Sequence, residues 1–103
     1  MFENWLDDSD YPTLYRLDRD VVVDTSRLFP ASTVRRDELP LWVKSFGLRL
    51  EARMPARQLA WIRRCDGSWL AMVMMEAGSG NGQSTLAMQL WLPSDGLTAE
   101  RRQ

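Results

Sequence analysis

The chain has 103 residues, 45% of them hydrophobic and 26% charged, with five tryptophans and a formal net charge of −1. That length suits one domain with a single core, the composition is that of a folded protein, and five indoles supply ample apolar area for a small core. One cysteine excludes an internal disulfide framework, and the absence of histidine removes the commonest general base and rules out Cys/His zinc sites within one chain.

The net charge conceals an asymmetry. Residues 1–24 carry seven acidic and two basic side chains, residues 25–64 nine basic and three acidic, and residues 65–103 four acidic and two basic. Either the first two blocks neutralise each other in the fold, or the middle one presents a basic surface to an anionic partner. The start Met1–Asp8 lacks the basic and apolar runs of a secretory leader, and no stretch approaches 18 apolar residues, so the expectation is a cytoplasmic chain without a membrane segment.

In chain order, residues 1–13 read as loosely ordered, with Phe2, Trp5 and Leu6 available to dock on the body. A strand is expected from Leu14 through Val21-Val22-Val23, and residues 24–33 read as a connection. A short helix should follow, with Asp37 and Glu38 at its start and Pro40 in its first turn. Leu39, Trp42, Val43 and Phe46 form its apolar stripe, and Gly47 stops it. Leu48 to Met54 alternates apolar and charged residues as a half-wet strand does, and Pro55 to Gln58 is read as a reversal. Strands at Leu59–Arg64, Trp69–Ala77 and Ser84–Leu92 complete a meander, and residues 99–103 read as a tail.

Asp66-Gly67 has the residue types of a two-residue type I′ turn. Such a turn sets Arg64 opposite Trp69 and Trp61 opposite Met72. Leu59, Trp61, Leu70, Met72 and Met74 then share one face, and Ala60, Ile62, Trp69, Ala71, Val73 and Met75 the other. The third meander strand is thus apolar on both faces and must be covered twice. The helix and the N-terminal segment can supply one cover, while sheet curling or a second copy of the chain can supply the other.

The expected fold is α+β: a mostly antiparallel four- to five-stranded β-meander with one short helix, in a single domain. The run Leu90-Trp91-Leu92-Pro93-Ser94-Asp95-Gly96-Leu97 resembles the end of SH3-like small barrels, which implies a small β-barrel as the alternative.

Candidate chemistry is sparse. The stretch Gly78–Thr85 is glycine-rich, but Gln83 stands where a phosphate loop needs lysine and a strand follows instead of a helix, so a hairpin loop is expected. Asp7, Asp8, Asp10, Asp18, Asp20 and Asp24 lack the spacing of a calcium loop. Cys65 lies near Arg63 and Arg64 but has no histidine to activate it. Neither a catalytic residue nor a metal or cofactor site is therefore expected. The leading reading is a non-enzymatic protein-interaction or regulatory module that self-associates or binds another protein, with Trp91, Leu70, Met72 and Met74 as contact residues. The alternative is a nucleic-acid-binding domain using Arg49, Arg53, Arg57, Arg63 and Arg64 beside Trp61 and Trp69.

Overall fold

The computed structural model describes residues 1–6, 9–30 and 39–99. Asp7, Asp8, the expected helix start at Asp37 and Glu38, and residues 100–103 of the expected tail at 99–103 lie outside the described residues, while Ala99 is paired with Val21 in a strand. The chain folds into β1 (Leu14–Asp24), α1 (Thr25–Leu28), α2 (Leu41–Phe46), β2 (Leu48–Arg49), β3 (Arg53–Arg63), β4 (Trp69–Ser79), β5 (Thr85–Pro93), a one-turn 3-10 helix at Ser94–Gly96, and β6 (Leu97–Ala99). The α+β meander is as expected, with a second short helix and one short strand, β6, added to it.

All pairings in the sheet are antiparallel. From one edge the lanes run β5, β4, β3, β1, β6, and β2 pairs with the far end of β4 on the side that β3 occupies nearer its start. The SH3-like alternative required a closed barrel. Among the described residues β5 and β6 do not pair, so the ladder is open.

Two expectations fail around Pro55. The alternating run at 48–54 forms a strand only at Leu48–Arg49, and the expected reversal at 55–58 is instead continuous β3. Pro55 is tolerated there because residues 53–56 pair with β1 alone, which makes that stretch of β3 a sheet edge where a missing N–H costs little. The α2 stripe is also only partly used: Leu39 and Val43 are half-buried, while Trp42 and Phe46 remain 68% and 62% exposed. Gly47 ends the helix as expected, its N–H donating to the Val43 carbonyl at 2.9 Å.

β4 is apolar on both faces, and both faces are covered. On one, Val21, Val23, Ala71, Val73, Met75 and Leu92 form the main core, flanked by Leu28, Leu50, Met54 and Leu97. On the other, Leu14, Ala60 and Met72 are buried with Phe2, Leu59, Ile62 and Met74 packed against them. The N-terminal segment is thus the second cover. Phe2 meets Trp91 edge-on, with ring centroids 6.2 Å apart, and the Arg16 guanidinium lies 5.7 Å from the Phe2 ring centre.

Candidate aromatic pocket

The pocket originates in the turn after β3. Among the described residues positive φ occurs at Gly67 (+93°) and Gly82 and at no non-glycine, so Asp66 does not adopt the conformation a type I′ turn requires. Instead the Gly67 N–H donates to the Arg64 carbonyl at 2.9 Å and the Arg64 N–H to the Ser68 carbonyl at 2.7 Å. That is a three-residue loop, Cys65 to Gly67, with the glycine in the left-handed bulge position. Asp66 uses its carboxylate, accepting from the Ser68 N–H at 2.9 Å and the Ser68 hydroxyl at 2.6 Å. These bonds, with Arg64 nearby, hold its pKa below the usual aspartate value.

The extra loop residue shifts the register by one. Arg63 now faces Trp69, Ile62 faces Leu70, Trp61 faces Ala71 and Ala60 faces Met72. Cross-strand partners share a face, so Trp61 and Trp69 fall on the same side, where a two-residue turn would have set them on opposite sides. β1 brings Tyr15 opposite Trp61. The Tyr15 and Trp69 rings lie 5.4 Å apart at a 51° tilt. Together with Ser94 from the 3-10 turn, Tyr15, Trp61 and Trp69 line an open depression of about 370 Å³.

Two arginines flank it. The Arg19 guanidinium lies 5.8 Å from the Trp61 ring centre and that of Arg63 lies 5.5 Å from Trp69. Each is held from behind. Arg19 Nε donates at 2.7 Å to Oε1 of Gln58, a fully buried glutamine whose Nε2 donates to the Ala60 carbonyl at 3.1 Å. Gln58 sits where β3 changes register against β4, between residues 58 and 60. Arg63 Nε donates to the Gly67 carbonyl at 3.2 Å, so the loop that sets the register also aims this guanidinium. The result is an aromatic floor with a cationic rim, suited to an extended apolar or planar group that carries negative charge beside it.

The other residues singled out from sequence are dispersed. Trp91 is 41% exposed on the opposite face, but Met72 beside it is 1% exposed and belongs to the core, and Leu70 and Met74 are half-buried. As a contact residue Met72 is therefore corrected: Phe2 and its neighbours already cover it. Arg49, Arg53, Arg57, Arg63 and Arg64 are all exposed, yet three have acidic partners. Arg49 lies 3.9 Å from Glu51, Arg64 lies 3.3 Å from Asp66, and Arg57 bonds to Asp18 and Asp20 of β1. Acidic β1 and basic β3 thus partly neutralise each other. The Arg57 hydrogen bond lowers the Asp18 pKa below its usual value and raises that of Arg57. Cys65 is exposed in the loop. No group of three metal-ligating side chains gathers among the described residues, and no helix there is long and apolar enough to cross a membrane.

Sequence reasoning named Trp61, Trp69 and Arg63 but missed Tyr15, Arg19, Gln58 and Ser94. The signal for Tyr15 and Arg19 was their even spacing along β1, four residues apart and so on one face, which carries meaning only once the β1–β3 register is known. No family model, curated protein or solved structure matches this chain.

Proposed function

We propose that this domain is a non-enzymatic protein-interaction module that binds an extended, proline-rich segment of a partner protein in the Tyr15–Trp61–Trp69 pocket. The observation that carries the reading is the convergence of three aromatic side chains, from three different strands, on one open depression. Segments in the polyproline conformation dock on aromatic-lined grooves because they are already extended, so little chain entropy is lost on binding. Arg19 and Arg63 at the rim favour an acidic residue beside the prolines.

A second reading rests on the same two arginines. Guanidinium groups beside indole faces also suit single-stranded nucleic acid, with bases on the rings and phosphates on the arginines. One experiment separates the two. A labelled proline-rich decapeptide with an acidic flank and a labelled oligothymidylate are titrated with the protein by fluorescence anisotropy over a salt series. Peptide binding that weakens about 30-fold in Trp69→Ala, a typical loss for an aromatic hot spot, supports the protein-interaction reading. Binding of the oligonucleotide alone, falling steeply with salt, would transfer the site to nucleic acid.

A further inference from the structure

Among the described residues, β5 is an edge strand without the usual protection. Proteins blunt exposed edges with charges, proline, bulges or a covering element, because the free N–H and C=O groups otherwise template another strand. Thr85–Pro93 contains no charged residue, and its pairing with β4 runs through nine consecutive residues without a bulge. Its one proline is the last residue. Among the described residues no strand pairs with its outer side.

The direction of its free groups follows from the hairpin. The Ser79 N–H donates to the Ser84 carbonyl at 3.0 Å, so in the alternating antiparallel pattern Leu86, Met88, Leu90 and Leu92 bond to β4. Thr85, Ala87, Gln89 and Trp91 therefore aim their N–H and C=O outward.

We propose that a second copy of this chain pairs with that edge, β5 against β5 and antiparallel, about a two-fold axis through Gln89. In this register Gln89 faces its own counterpart, Ala87 faces Trp91 and Thr85 faces Pro93, so every pair that must exchange hydrogen bonds draws on outward-facing residues. Proline's missing N–H falls at the outermost pair, where it removes one bond per end. The same register places Leu86 opposite Leu92 and Met88 opposite Leu90 on the core face, extending the apolar layer across the axis. It also sets small Ala87 against large Trp91 on the other face. Leu86 is half exposed in the single chain, and toward β4 it shares a cavity with the exposed Phe46 and with Leu48, whose strand pairs with the other side of β4. A neutral edge brings no like charges together when identical strands meet, which is the condition self-pairing needs and mixed partners do not.

Sedimentation equilibrium of the full chain tests this with two variants, Gln89→Lys and Gln89→Glu, whose side chains are exposed; both give up the 3.6 Å contact of Gln89 Nε2 with Met1 Sδ and neither alters a backbone hydrogen bond to β4. The wild type is expected to be a dimer. Each variant alone places like charges across the axis and should raise the dimer dissociation constant about fivefold or more. An equimolar mixture of the two should recover dimers as the heterodimer. A wild type that stays monomeric at every concentration overturns the proposal, as does a dimer that both variants leave intact or one that mixing fails to restore.

Discussion

Truncating Phe2 tests whether the first residues are structural. Phe2 is half-buried against Leu14, Ala60 and Met72 and makes an edge contact with Trp91. Complete burial of such a side chain contributes about 1.5–3 kcal/mol, and half of that, with about 0.5 kcal/mol for a partly exposed aromatic pair, gives about 1.5 kcal/mol for Phe2→Ala. For a domain of this size the melting temperature should fall by about 6 °C or more. Urea unfolding should show a lower midpoint with an unchanged slope, since the native fold persists while Met72 becomes wetter. Leu6→Ala is the internal control, because Leu6 is 80% exposed and its truncation should stay within about 0.5 kcal/mol. A Phe2→Ala loss no larger than the Leu6→Ala loss would refute the claim that this segment covers the second face of β4.

Three further outcomes follow from the loop, the buried glutamine and the β1–β3 ion pair. Gly67→Ala meets no steric obstacle, since a Cβ there approaches nothing closer than Arg63 Nη2 at 4.0 Å, but its φ of +93° should cost about 1–2 kcal/mol in the same urea assay. Gln58→Leu keeps the volume but strips Arg19 of its acceptor and the Ala60 carbonyl of its donor; about 1–3 kcal/mol should be lost, together with peptide affinity. The Asp18 carboxylate, followed by NMR, should titrate below its ordinary value of 3.8 and move back toward it in Arg57→Gln. Because the folded value is the lower one, whatever stability the pair contributes is complete above pH 3.8 and is lost as pH falls through the folded midpoint. A midpoint at or above 3.8 in the wild type would contradict the pairing.

The periodic parts of this fold were legible from residue types. The valine run of β1, the doubly apolar β4 and the apolar alternation of β5 each announce a strand, because a pleated backbone sorts side chains with a period of two. What stayed hidden was register. Asp66-Gly67 fits two loop lengths equally well as a string of letters, and hydrogen bonds from Ser68 to the Asp66 carboxylate favour the longer one. That single added residue decides whether Trp61 and Trp69 meet. Pro55 misled for a related reason: a proline argues against a central strand, and nothing local reveals that β4 stops short of residues 53–56. The exposed Trp42 and Phe46 show a third limit, since a stripe of apolar residues states that a helix has an apolar side without stating that anything lies against it.

The pairing of β1 with both β3 and β6 also determines when the pocket comes into being. The β3–β4 and β4–β5 hairpins close short loops and need only neighbouring residues, whereas β1 must find partners that lie far along the chain, including the last strand. Long loops close late, after local contacts have begun to offset the entropy. Tyr15 arrives with β1, so two indoles alone stand on the hairpins until the ends of the chain have met. A ligand that needs all three rings would therefore bind the finished fold and no partial one, and its presence would draw folding chains toward the native state by mass action.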